Sequence, residues 1–166
     1  MMYGEHVLIP GSFDPMTLGH ADLIRRVAEN SGRVTVAVMI NREKQYLFDL
    51  PTRVRIAEAT LAGIPNVSVI GDSGMLIDLF DRIGADVVCK SYRNADDLAY
   101  EKLQAEWNEA HNPRFRTCLI PAEGNRCDLS ATEVRKILHD GKIPDGLVAP
   151  EALPLILSEY RKSRPD

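Results

Sequence analysis

The chain has 166 residues, 45% hydrophobic and 27% charged, with a formal net charge of −4. That length and balance predict a single domain, 1–166, around one buried core. They exclude a broad electrostatic grip on nucleic acid, so no nucleic-acid partner is expected and any polyanion must be held by a local cluster of cations.

Taken in chain order, strand-like and helix-like segments alternate. Apolar, Val- and Ile-rich runs predict strands over 6–10, 33–40, 66–70, 86–90 and 115–120. Continuous apolar runs of this kind suit parallel strands buried on both faces. Between them, apolar residues at helical spacing predict helices over 19–30, 51–62, 75–83 and 95–111, and two more follow over 130–138 and 150–160. Pro51 and Pro150 suit a first helical position, and Ser130 with Glu133 three residues on reads as a capping box. The order is that of an α/β protein: a Rossmann-like, doubly wound, five-stranded parallel sheet with a C-terminal helical extension. The core is expected over about 5–140 and the last helix over about 150–162. No apolar run approaches a membrane span and the N-terminus lacks the basic and apolar regions of a signal peptide, so no membrane partner is expected. Cys89, Cys118 and Cys127 form no Cys-x-x-Cys pair, which predicts reduced thiols in a cytoplasmic protein.

The first strand runs straight into Gly11-Ser12-Phe13-Asp14-Pro15-Met16-Thr17-Leu18-Gly19-His20. This is a strand-to-helix junction, where free N–H groups and the positive end of a helix dipole attract phosphate. Ser12 offers a hydroxyl to a phosphate oxygen. His20, on the first helical turn, is placed to hold charge that develops during phosphoryl or nucleotidyl transfer. Asp14-Pro15 reads as a turn former. Ligands of open sheets gather at carboxyl ends of strands. Lys44 therefore draws notice after the second strand, with Arg42 as the alternative if the loop register differs. Lys90 and Arg93, around Ser91, draw notice at the end of the fourth, where two cations suit two phosphates. Asp96, Asp97 and Glu101 taken alone are helix-start acids on a solvated face. Ser130 and Thr132 open a helix whose N–H groups could cradle phosphates. No zinc spacing, Gly-x-Gly-x-x-Gly or Gly-x-x-x-x-Gly-Lys is present, which disfavours a dinucleotide oxidoreductase and a P-loop ATPase.

The run from Gly11 to His20 resembles the first signature of the nucleotidyltransferases that carry [His/Thr]-x-Gly-His. Its Thr17-Leu18-Gly19-His20 form is similar to that of the phosphopantetheine adenylyltransferases. Leu129-Ser130-Ala131-Thr132 resembles the second signature, Ile-Ser-Ser-[Ser/Thr], with Ala131 in place of a hydroxyl. Where the family has Arg-Gly-Leu-Arg, this chain has Lys90-Ser91-Tyr92-Arg93, which keeps the charge and loses one bidentate fork. The resemblance implies adenylyl transfer from ATP to 4′-phosphopantetheine, giving dephospho-coenzyme A and pyrophosphate, by direct in-line attack. It implies catalysis by His20, Ser12, Lys44 and Arg93. ATP would lie against Ser12, Phe13, His20, Ser91, Arg93, Glu101, Arg126, Ser130 and Thr132, with Arg126 where the family commonly has an aromatic residue. Phosphopantetheine would meet Ser12, Lys44 and Lys90, with Met75, Leu76 and Asn108 along its arm. Mg2+ would accompany the ATP phosphates with few protein ligands, and the chain would form a homohexamer. Two alternatives stand. One is a sibling transferase using nicotinate mononucleotide, or CTP with a sugar-alcohol phosphate. The other is a nucleotide-binding module without catalysis.

Overall fold

The computed structural model describes residues 2–122 and 130–163. Five strands are parallel: β1 (Gly4–Gly11), β2 (Ser31–Met39), β3 (Val67–Asp72), β4 (Val87–Tyr92) and β5 (Thr117–Pro121). The helices are α1 (Leu18–Glu29), α2 (Leu50–Leu61), α3 (Leu76–Ile83), α4 (Ala95–His111), α5 (Ala131–His139) and α6 (Leu153–Ser163). The strand order is β3-β2-β1-β4-β5. The chain thus winds outward from β1 to β3, returns, and winds the other way through β4 and β5. The point of reversal lies between β1 and β4, where open α/β sheets open a crevice.

Alternation along the strands explains how both faces are covered. Val7 and Ile9 of β1, with Val34, Val36 and Val38 of β2, pack on Ala21, Ile24 and Val27 of α1 and Ala57 and Leu61 of α2. Leu8, Ala37 and Val88 turn the other way, onto Leu79 and Phe80 of α3 and onto Phe115. The Phe80 and Phe115 rings meet at 4.7 Å. A third cluster joins Phe48 and Ile56 to Val134 and Leu138 of α5 and Ile156 of α6, so the C-terminal helices pack outside α2. By contrast α4 has no fully buried residue along its 17-residue length.

Most element ends fall within two residues of the sequence expectation, and two differences have local causes. Helix α6 starts at Leu153 rather than at Pro150, because the N–H groups of Ala152 and Leu153 both turn back to the Ala149 carbonyl and form a tight turn first. Strand β5 starts at Thr117 rather than at Phe115, because Phe115 N–H bonds the Asn112 carbonyl while its ring enters the core under the sheet.

Candidate active site

A cavity of about 690 Å3 opens at the carboxyl ends of β1 and β4. It brings together Ser12, Phe13, His20, Lys44, Lys90, Ser91, Arg93, Glu101, Ser130 and Thr132, all expected from the sequence. It is not lined by Met75, Leu76 or Asn108. Met75 caps α3 after β3, the edge strand two places from β1, and Leu76 packs into the core under the sheet. Asn108 sits in the last turns of α4, far along the helix from Glu101. Arg42 does not line the cavity either, so the loop register favours Lys44. Arg126 lies outside the described residues.

The β1–α1 junction is built from backbone contacts. Thr17, fully buried, is the N-cap of α1, and its side chain accepts from His20 N–H. In return the Thr17 backbone N–H donates to His20 Nδ1 at 3.0 Å. An amide can only donate, so Nδ1 is the bare nitrogen and the ring proton belongs on Nε2. Burial, and then the Arg93 charge, push the His20 pKa down to about 4. His20 is therefore a neutral N–H donor at physiological pH. The Phe13 ring meets the His20 ring edge-on at 5.1 Å. Phe13 pays for this with a left-handed backbone, φ 46°. Gly11 is required beneath it, since a Cβ there would fall 2.6 Å from the Phe13 ring.

Three polar residues lock this junction to its neighbours: Asp14, read from the sequence only as a turn former, and Arg53 and Arg135, which the sequence reading gave no role. The carboxylate of Asp14, buried, accepts from the N–H groups of Leu47 and Phe48 at 2.8 and 3.0 Å. This ties the loop after β2 to the one after β1, a task beyond forming a turn. Arg53, 1% exposed on α2, donates to the carbonyls of Ser12 (2.7 Å), Met39 (3.0 Å) and Phe48 (3.1 Å). Arg135 of α5 lines the cavity and donates to the Asp14 carbonyl and to Thr132 Oγ1. The available signal for Arg53 was its helical spacing from Ile56 and Ala57, three and four residues on, which sets a cation on the apolar stripe of α2. Nothing in the local pattern marked the other two.

The β4–α4 side is charged and open. Lys90 Nζ lies 2.6 Å from Glu101 Oε2, and Arg93 Nε lies 3.3 Å from Asp97 Oδ2. On the third side, Ser130 caps α5 by accepting from Glu133 N–H at 3.2 Å. Ala131 and Thr132, on the first turn of α5, line the cavity. The floor includes Cys89, register partner of Cys118. Both are free thiols, and burial next to Cys118 pushes the Cys89 pKa up to about 12, so it is no nucleophile. Among the described residues no group of His, Cys, Asp or Glu is arranged to hold a metal ion, and no helix is long and apolar enough to cross a membrane.

A neutral N–H donor, several hydroxyls, the cations Lys44, Lys90, Arg93 and Arg135 and a helix N-terminus around one crevice can bind two phosphate groups and stabilise charge passing between them. The comparisons agree with that chemistry. Residues 8–137 match the cytidylyltransferase-like family model. A phosphopantetheine adenylyltransferase of Symbiobacterium thermophilum is 34% identical over 156 residues, 94% of this chain and 96% of the relative. One from Limosilactobacillus fermentum is 38% identical over 81% of this chain and 78% of its own, and one from Flavobacterium psychrophilum is 36% identical over 88% and 95%. The solved structure of a candidate nicotinate-nucleotide adenylyltransferase from Vibrio parahaemolyticus superposes with a TM-score of 0.72 over 93% of this chain and 99% of its own, at 19% identity, which speaks for the fold alone. A switch-point cavity with these donors, in a sequence this close to those enzymes, places the chain in the cytidylyltransferase-like nucleotidyltransferase family, among the phosphopantetheine adenylyltransferases.

Proposed function

We propose that the chain transfers the adenylyl group of ATP to the phosphate of 4′-phosphopantetheine, releasing pyrophosphate and dephospho-coenzyme A. The observation that carries this reading is the neutral His20, fixed by Thr17 with its Nε2 proton available in the same cavity as Ser12, Lys44, Lys90 and Arg93. The acceptor phosphate oxygen attacks the α-phosphorus in line. The bond from that phosphorus to the bridging oxygen breaks, and its electron pair leaves with pyrophosphate. His20 and Ser12 donate to α-phosphate oxygens as charge gathers on them. Lys44 and Lys90 hold the acceptor phosphate, and Arg93 with the N-terminus of α5 faces the departing phosphates. No side chain becomes covalent, so the rate comes from positioning and electrostatic stabilisation.

Mg2+ would accompany the ATP phosphates as their counter-ion, with few protein ligands. Family likeness further supports a cytoplasmic protein and a homohexamer, and light scattering on the purified protein tests the hexamer. The reaction itself is tested by pyrophosphate release from ATP over a panel of acceptors. Release should require a phosphorylated acceptor and be fastest with 4′-phosphopantetheine. Faster release with nicotinate mononucleotide would reassign the acceptor, and acceptor-independent release of inorganic phosphate would make the protein an ATPase.

A further inference from the structure

We infer that Tyr46 is a positioning residue for the transfer: its hydroxyl donates to Ser12 Oγ and thereby turns the Ser12 proton into the cavity toward phosphate. This rests on the adenylyl-transfer reading for the identity of the phosphate. The geometry is local and complete. Tyr46 lines the cavity beside Lys44 and Gln45. Its Oη lies 3.2 Å from Ser12 Oγ, and the same oxygen accepts from Asn41 N–H at 2.7 Å.

The direction of the chain follows from donor chemistry. The Asn41 amide occupies an acceptor position on Tyr46 Oη and has no alternative role. A phenol is a stronger acid than an aliphatic hydroxyl and is the better donor of the two. The Arg53 guanidinium, 3.9 Å over the ring centroid, holds the Tyr46 ring in place. So Tyr46 gives its proton to Ser12 Oγ, and the Ser12 proton is left to turn into the cavity that Ser12 lines. Hydrogen bonds in such a chain polarise one another, which makes the last donor stronger than an isolated serine.

Two grips on Ser12 are coupled by this arrangement. Arg53 holds the Ser12 carbonyl at 2.7 Å, and Tyr46, stacked on Arg53, holds the Ser12 hydroxyl. A serine in a loop would otherwise sample three rotamers and several hydroxyl orientations. Here one rotamer and one orientation are selected before substrate arrives.

The test is a double-mutant cycle on the full-length protein with Tyr46→Phe, Ser12→Ala and the pair. Tyr46→Phe keeps the ring on Arg53 and removes only the hydroxyl. Its kcat/KM for 4′-phosphopantetheine should fall roughly three- to tenfold, the scale of one hydrogen bond, with the loss in kcat and in ATP affinity, and with the KM for 4′-phosphopantetheine and the melting temperature unchanged. In the Ser12→Ala background the same change should alter kcat/KM by less than about twofold, because its effect passes through Ser12. Parental activity in Tyr46→Phe, or the same loss in both backgrounds, overturns the inference. If the parent is inert with 4′-phosphopantetheine, the adenylyl-transfer reading has failed instead. ATP titrated calorimetrically into the four proteins then decides the relay: a Tyr46→Phe penalty that disappears without Ser12 supports it, and one that persists, or is absent, overturns it.

Discussion

The β1–α1 and β4–α4 junctions line the same cavity at the ends of neighbouring strands, and they are held by opposite means. At β1–α1, Phe13, Asp14, Met16 and Thr17 are buried, and the polar groups are bonded to backbone: Asp14 to Leu47 and Phe48, Thr17 to His20, Arg53 to Ser12. At β4–α4, Lys90 and Arg93 are 27% and 54% exposed and are held by the carboxylates of Glu101 and Asp97. The exposed Arg93–Asp97 pair is worth about 0–1 kcal/mol, so a phosphate can displace its carboxylate at small cost, and at the half-buried Lys90–Glu101 pair an incoming phosphate replaces one anion by another. Buried backbone contacts cannot be exchanged that way. In the proposed transfer the first junction is preformed around Ser12 and His20 before the reacting phosphate arrives, and the second holds charge that substrate would take over on binding.

That contrast breaks first at Arg53. Arg53→Met leaves carbonyls of Ser12, Met39 and Phe48 without their donor and should cost roughly 3–5 kcal/mol in denaturant unfolding, as several stranded acceptors would. A loss under about 1 kcal/mol would mean that Arg53 does not hold the junction. His20→Ala should remove about 2.7–4 kcal/mol of transition-state stabilisation, the worth of one oxyanion donor, seen in kcat while both substrates bind nearly as before. Turnover close to the parent's would make His20 a capping residue only. On the charged side the effect should move from rate to affinity. Lys90→Ala should weaken the acceptor by about 1.5–3 kcal/mol in calorimetry and leave ATP affinity nearly unchanged. An effect confined to ATP would exchange the two subsites. Smallest of all, Glu101→Gln should tighten the acceptor by less than about 1 kcal/mol at low salt, since it frees Lys90 from its partner. Weaker acceptor binding would instead make the Glu101 carboxylate a direct ligand.

The rigid junction was also the more legible in sequence. Strand, glycine, serine and capping threonine sit within one short run, so local chemistry places Ser12 and His20 without tertiary information. The alternation of strands and helices gave the sheet, because parallel strands buried on both faces read as apolar runs. What stayed hidden depends on contacts between distant segments. Asp14 reaches Leu47 and Phe48, and Arg135 reaches Asp14, across long stretches of chain. Met75 and Leu76 were expected along the acceptor's arm as apolar residues, and the strand order sets them after the edge strand β3, outside the lining of the cavity. The pairing of Lys90 with Glu101 divides one ion pair between two expected ligand sets, which spacing along the chain does not reveal.

The central claim is that His20 works as a neutral donor through Nε2, and nitrogen-15 NMR of the imidazole in the unliganded protein tests it most directly. Burial lowers the folded-state pKa of His20 from 6.5 to about 4. The unfolded chain therefore takes up this proton first, and the stability that His20 supplies is full above pH 6.5 and drains as the pH falls toward 4. At pH 7 the ring should be neutral, with a bare Nδ1 and a protonated Nε2, and should charge only near pH 4. An imidazolium at pH 7, or a neutral ring with its proton on Nδ1, would contradict it.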